Sequence, residues 1–178
     1  NGKKSGSIYL SKSNEIGIID YAHSPDSIQN ILQTLNDLKH KSSLITVLGC
    51  GGDRDTEKRP LMGKIAASLS DRVVFTSDNP RFEDPKLIIE QMQAGVNKKD
   101  LYKVSSIIDR KKAIKYACEI NSGNDVILVA GKGHEKYQIN GENKIDFDDK
   151  KILEKFLKNK NWYVIFFIWI FRIKIPIA

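Results

Sequence analysis

Val73-Val74-Phe75-Thr76-Ser77-Asp78-Asn79-Pro80-Arg81 is the stretch from which the fold is read. Val73 to Thr76 is short, apolar and β-branched, the pattern of a strand buried on both faces. Ser77 to Arg81 must then turn. Asn79 precedes a proline, which pushes its backbone out of the helical region. Asp84 and Pro85 open the next helix, as N-cap and first helical residue. Asp78, Asn79 and Arg81 are therefore expected on a stiff loop between a strand end and a helix start. In a parallel α/β sheet, ligands bind at that edge.

The same alternation runs outward in both directions. Upstream, Leu44-Ile45-Thr46-Val47-Leu48 reads as a strand entering Gly49-Cys50-Gly51-Gly52-Asp53-Arg54-Asp55. Pro60 begins a helix with Leu61, Ile65, Ala66 and Leu69 on its apolar side. Earlier still, Ile16 to Ile19 is a first strand, and Ser24 and Pro25 open a helix. That helix carries Ile28, Ile31, Leu32, Leu35 and Leu38 at helical spacing. Downstream, the helix from Pro85 to about Ala94 turns Leu87, Ile88 and Met92 inward, and Val104 to Ile107 is a short strand. Asp109 to about Ile120 is helical, with Ala113, Ile114 and Ala117 on one face. Asp125 to Ala130 is a strand ending in Gly131-Lys132-Gly133-His134-Glu135. Tyr137 to Ile145 reads as a hairpin turning at Asn140-Gly141, and Asp148 to Leu157 as a last helix. Alternating strands and helices give an α/β fold: a Rossmann-like, doubly wound, mostly parallel sheet with right-handed crossovers.

The length of 178 residues suits one domain. Its expected extent is 15–158, with a linker remnant over 1–14 and an atypical hydrophobic tail over 159–178. The net charge is +7. The lysines are scattered among acids with no basic run interleaved with aromatics, which argues against a nucleic-acid partner. Cys50 and Cys118 have no metal-ligand spacing and read as reduced thiols of a cytoplasmic protein. No signal peptide is read at the start. The run from Trp162 to Phe171 is wholly apolar, but short of the roughly 20 residues of a membrane span. It reads as an added strand, an interfacial anchor or an artefactual end. The last is preferred, and membrane contact is not expected.

Parallel strands put their carboxyl ends on one edge of the sheet. Asp20/His23, Asp53/Arg54/Asp55, Asp78/Asn79/Arg81 and Lys132/His134/Glu135 each follow a strand, so together they are expected to line one crevice. The set suits a zwitterion. Arg54 and Arg81 suit carboxylates, which a guanidinium grips with paired hydrogen bonds. Glu135 and Asp78 suit an ammonium, and the glycines let backbone come close to a ligand. Plainer readings stand beside these. Asp20 and Asp78 could merely end strands, Asp53 could pair with Arg54, and Arg81 could pair with Glu83 or Asp84. His23 and His134 could be ordinary loop histidines. Gly49-Cys50-Gly51 is no dinucleotide fingerprint, because Arg54 stands where the third glycine belongs. The chain has no G-x-x-x-x-G-K-[ST] loop, no zinc spacing and no serine elbow, so it does not read as a complete enzyme.

Five segments carry a resemblance: Asp20 to Asp26, Gly49 to Asp55, Lys58 to Gly63, Thr76 to Arg81 and Ala130 to Glu135. In this order they resemble the C-terminal domain of the Mur ligases, in particular the diaminopimelate-adding MurE type. The likeness runs over roughly residues 16 to 157. It implies part of an ATP-dependent amide ligase of peptidoglycan synthesis. In that family a central domain, not found in this sequence, carries the phosphate loop and the magnesium ligands. ATP and Mg2+ would be bound mainly there, and the UDP-MurNAc dipeptide would be met through the other domains. The resemblance implies that the C-terminal domain binds the incoming amino acid and closes the site as it swings in. Carried over by position, Asp78-Asn79-Pro80-Arg81 resembles the recognition motif for meso-diaminopimelate, and Arg54, Gly131 and Glu135 match further contacts. Asp20 and His23 fall in the segment that meets the nucleotide side. No role attaches to Asp53, Lys58, Arg59 or His134. The alternatives are a lysine-adding or folylpolyglutamate-type ligase domain, or a non-catalytic amino-acid-binding remnant. Arg81 argues against lysine, since the lysine-adding relatives lack that arginine. The Gly-Arg lead usual before this domain is absent ahead of Ile16, and the tail has no family counterpart. By itself the chain is expected to have no ligase activity.

Overall fold

A computed structural model of the chain describes residues 7–10, 16–39, 41–123, 125–157 and 163–166. Its sheet is built on two strands that are buried at every position, β3 (Leu44–Leu48) and β6 (Val126–Ala130). They are apolar throughout because both faces are covered. Leu44, Leu48, Val126 and Leu128 face one core, and Ile45, Val47, Ile127 and Val129 the other. On the first face lie α1 (Pro25–Leu38), α2 (Lys58–Leu69) and α3 (Pro85–Ala94). On the second lie α4 (Arg110–Glu119) and α5 (Asp149–Phe156).

The remaining strands of this sheet are β1 (Ser7–Leu10), β2 (Ile16–Asp20), β4 (Arg72–Phe75), β5 (Val104–Ser106) and β9 (Tyr163–Phe166). Their order across the sheet is β5-β4-β3-β6-β2-β1-β9. The five from β5 to β2 run parallel, while β1 and β9 are antiparallel additions beyond β2. From β3 the chain steps outward to β4 and β5, then returns to insert β6 between β3 and β2. That reversal makes the β3/β6 boundary a topological switch point. Registers level the strand ends there: Ala130 is paired with both Leu48 and Asp20, and Leu48 with Phe75. The loops after four strands therefore emerge side by side. A separate hairpin of β7 (Tyr137–Asn140) and β8 (Asn143–Asp146) follows β6.

The doubly wound, mostly parallel sheet expected from the sequence is the fold observed. Caps form where the sequence places them: the Ser24 hydroxyl and the Asp84 carboxylate accept backbone N–H bonds at the starts of α1 and α3. Several details differ. Ser7–Leu10 lies inside the expected linker 1–14 yet forms β1, whose Ile-Tyr-Leu run favours a strand and folds back on β2. The rest of 1–14 lies outside the described residues. Within the expected tail, Tyr163–Phe166 is the edge strand β9, and the rest of 159–178 is not described. The hairpin turns at Gly141-Glu142, because Asn140 pairs with Asn143. A glycine with φ of 57° at the first turn position serves as well as Asn-Gly. Leu61 and Leu87 point outward, 52% and 53% exposed, and Leu38 is 39% exposed. The two helices α2 and α3 instead pack through Met62, Ala66, Ile88 and Met92. A 3-10 turn at Lys98–Lys103, unforeseen, leads into β5.

Candidate functional site

The loop after β4 is fixed from three sides. Asp78 and Asn79 are buried, and beneath them lies Lys132, with no exposed surface at all. Lys132 Nζ donates to Asp78 Oδ1 at 3.1 Å and to Asn79 Oδ1 at 2.8 Å, and it lies 3.5 Å from Glu135 Oε2. Asn79 Nδ2 donates to the same Glu135 oxygen at 3.0 Å. The ammonium that Asp78 was expected to hold is thus supplied by the chain itself. Such a charge is tolerable in the interior only because it is paired and hydrogen-bonded.

Gly131 lets this cluster close. Its φ of 110° is a left-handed conformation, and a side chain there would begin 2.9 Å from Asp78 Oδ2. The loop after β3 approaches from the other side. Gly52 N–H donates to Asn79 O at 2.9 Å, and Gly52 O accepts from Arg81 Nη1 at 2.7 Å. A Cβ at position 52 would stand 1.9 Å from Pro80 O, so only glycine allows this contact. Gly51 sits between the two arginines: an ideal Cβ built on it lies 3.0 Å from Arg81 Nη1 and 3.7 Å from Arg54 Cγ. Arg54 and Arg81 thus flank one point on the rim.

The suggested pairing of Arg81 with Glu83 does not occur. Glu83 instead takes both ends of Arg59: Nη1 donates to Oε2 at 2.7 Å and Nη2 to Oε1 at 2.8 Å. Arg59 is fully buried and also donates to Gln91 Oε1 at 2.6 Å and to Gly51 O at 3.1 Å, tying both loops to α3. Hydrogen bonds from Arg59 hold the Glu83 carboxyl below its ordinary range. Among the described residues Arg81 forms no ion pair, and neither do Asp53 and Arg54. Asp53 Oδ2 accepts from Phe82 N at 3.3 Å, and Asp53 itself sits at φ of 50°. Its role is to shape the loop. Arg54 is exposed.

Asp20 and His23 stand on the neighbouring loop after β2. Asp20 Oδ1 accepts from Ala22 N at 2.7 Å, and burial pushes its carboxyl up. His23 Nδ1 is 2.7 Å from Tyr21 O, and Lys58 donates to His23 O at 3.2 Å. The Tyr21 ring lies 4.7 Å from the His23 ring and 5.4 Å from that of His134. Burial, then the nearby charge of Glu135, raises the Tyr21 hydroxyl, so the two loops share one electrostatic environment. The expected site residues Asp20, His23, Arg54, Asp78, Asn79, Pro80, Arg81, Gly131 and Glu135 thus all lie on this one edge of the sheet.

Two residues that sequence reasoning passed over support this edge from below. Arg110, at the start of α4, and Asp149, at the start of α5, are both fully buried. They pair through two bonds, Nε to Oδ1 at 2.8 Å and Nη2 to Oδ2 at 2.7 Å. Arg110 also donates to Ala130 O at 2.9 Å and to Ser77 O at 3.5 Å, the carbonyls where the loops leave β6 and β4. In the sequence Arg110 stands in Asp-Arg-Lys-Lys, which reads as surface charge; nothing local marks it as buried.

Cys50 is no nucleophile here: burial pushes its thiol up to about 12. Among the described residues no cluster of three or more metal-binding side chains exists, and no helix is long and apolar enough to cross a membrane. A cleft of about 260 Å³ lined by Arg72, Lys103, Ser105 and Tyr116 lies at the β4–β5 edge, away from these loops.

The geometry can be set against known proteins. The family described as "Mur ligase, glutamate ligase domain" matches residues 9–133. A protein of Cytophaga hutchinsonii named UDP-N-acetylmuramoyl-L-alanyl-D-glutamate–2,6-diaminopimelate ligase is 53% identical over 140 residues, covering 79% of this chain and 29% of that protein. One of the same name from Phocaeicola vulgatus is 52% identical over 144 residues, covering 80% and 30%. This chain therefore spans about three tenths of the length of the curated relatives it matches. A solved structure of a ligase so named superposes with a TM-score of 0.77 at 37% identity, covering 87% of this chain and 31% of that one. A folylpolyglutamate synthase of Thermotoga maritima, 23% identical with a TM-score of 0.51 over 69% of this chain and 26% of its own, shares the fold alone. The switch-point edge, the order of the loops upon it and a family match over residues 9–133 agree: this chain belongs to the Mur ligase, glutamate ligase domain family.

Proposed function

We propose that this chain is the amino-acid-binding domain of an ATP-dependent ligase that adds meso-diaminopimelate to UDP-MurNAc-L-Ala-D-Glu in peptidoglycan synthesis, in the cytoplasm. Arg81 is the observation that carries this reading. It is held beside Arg54 on the rim and forms no ion pair among the described residues, while the acid next to it, Glu83, is taken by Arg59. Meso-diaminopimelate differs from lysine by a carboxylate at its far end. A guanidinium rewards that group with charge-assisted hydrogen bonds, and lysine leaves the guanidinium unanswered. The names of the similar ligases point the same way.

Asn79 and Glu135 are the second half of the proposed site. Lys132 and the Asn79 amide hold Glu135 through Oε2, which fixes the carboxylate at the rim for a ligand ammonium. Asp78 is assigned a more indirect part, fixing Lys132 rather than touching the ligand. ATP with Mg2+ would supply the activated acyl group. This chain's residues do not fit that centre: the sequence has no phosphate loop, and the described residues build no metal cluster. The chain's own part is to bind and orient the amine that attacks, and alone it is expected to turn over no ATP.

Calorimetric titration of the chain with meso-diaminopimelate, L-lysine and L-ornithine tests the reading. A charge-assisted hydrogen bond contributes about 1.5–3 kcal/mol, so meso-diaminopimelate is expected to bind about ten- to a hundredfold tighter than the other two. Equal binding, or a preference for lysine, would overturn the assignment of substrate.

A further inference from the structure

Arg81 has a backbone φ of 52°, in the left-handed region that is disfavoured for a residue bearing a Cβ. Such a conformation persists only where its surroundings hold it. The β7–β8 hairpin does the holding. Arg81 N–H donates to Ile139 O at 3.1 Å, and Arg81 O accepts from Gly141 N at 2.6 Å, so both backbone groups are taken by the hairpin. Ile139 N–H donates to Asn79 Oδ1 at 3.0 Å. Gln138 then reaches under the loop: its Nε2 donates to Asp78 O at 2.5 Å and to Ser77 Oγ at 3.3 Å. Two acceptors facing one amide nitrogen orient the side chain without ambiguity of role. The family match ends at residue 133, so the hairpin lies beyond the part matched to the family at large.

We propose that Gln138 is a positioning residue for substrate selection, acting through Arg81. This rests on the functional reading above and adds a residue and a device to it. Gln138 pins the carbonyl of Asp78, which holds the loop flush against β7. That contact keeps Arg81 within reach of the two bonds that fix its left-handed turn. The direction of the Arg81 guanidinium, and hence discrimination between an amino acid with a far-end carboxylate and one without, depends on a side chain that touches neither ligand. Gln138 is only partly buried, so shortening or blunting it leaves the two sheet cores intact.

Gln138→Met keeps the length and removes the donor; Gln138→Ala is the second variant. Two measurements on the chain are needed. Amide hydrogen exchange at Arg81 is expected to quicken about tenfold in either variant, with central-strand amides such as Val129 unchanged. The ratio of meso-diaminopimelate to L-lysine affinity is expected to fall about tenfold, with lysine affinity nearly constant. A merely structural role would weaken both ligands alike. Unchanged exchange at Arg81, or faster exchange with the ratio intact, overturns the role of Gln138 and leaves the substrate assignment standing. A wild-type chain that shows no preference between the two ligands overturns the substrate assignment and this inference together.

Discussion

Asp149→Ala is expected to cost the domain about 3–5 kcal/mol of folding free energy, the loss typical of stranding one member of a buried ion pair. Both partners have zero exposure, and the carboxylate takes two of the guanidinium's bonds. Without it, the Arg110 guanidinium keeps hydrogen bonds only to backbone carbonyls, and the Asp78 and Glu135 carboxylates act on its charge without bonding to it. Domains are stable by about 5–15 kcal/mol, so this is a large fraction of the whole. Urea unfolding should show the midpoint lowered by roughly 1–5 M, given a slope of about 1–3 kcal/mol per molar for a small protein. Replacing both residues, as Arg110→Met with Asp149→Leu, should recover much of the loss, because a well-packed apolar pair avoids the desolvation cost. A single-variant cost under about 1 kcal/mol would mean that water reaches the pair and relieves the stranded charge.

Lys132→Met should be comparably severe, for the opposite reason. It strips the positive charge from between Asp78 and Glu135, whose carboxylates both face Lys132 Nζ. The variant keeps two like charges close together and leaves Asn79 Oδ1 with one donor, Ile139 N–H, in place of two. A loss of about 3–5 kcal/mol is expected. The sharper readout is non-additivity. Asp78→Asn made on top of Lys132→Met should restore stability, whereas Asp78→Asn alone should destabilise, giving a coupling of about 0.5–3 kcal/mol. Additive effects would show that Lys132 is not the counter-charge of Asp78.

These two residues also mark where the sequence stops being informative. Buried apolar strands announce themselves locally: β3 and β6 are continuous apolar runs, and the Ser24 and Asp84 caps precede prolines that open helices. From that alternation the levelled strand ends follow, and with them the convergence of the loops. Lys132 was expected to line the crevice rather than to lie buried beneath it, and Arg110 sits beside two lysines, a context that reads as solvent-facing. Asp78, which accepts from Lys132, and Asp149, which accepts from Arg110, lie 54 and 39 residues away, beyond any local pattern. The same blindness applies to Asp78, which looked ready for a ligand ammonium and is spent on Lys132. Helix faces were legible except at Leu38 in α1, Leu61 in α2 and Leu87 in α3, which face outward. Arg59 carried no assigned role in the sequence, yet it clamps Glu83, Gln91 and the Gly51 carbonyl together. The αL backbone of Arg81 is equally silent in the sequence, since it is imposed by a hairpin some 60 residues further on.

Placement of Arg81 on the rim beside Arg54, with Glu135 fixed behind it, is the core of the account. Arg81→Met removes the guanidinium and leaves the Arg59–Glu83 clamp and the Lys132 cluster in place. Titrating this variant and the wild-type chain with meso-diaminopimelate and L-lysine is the most direct test. The account predicts a wild-type preference for meso-diaminopimelate of about ten- to a hundredfold that collapses to near unity in Arg81→Met. A preference that survives the substitution would contradict it.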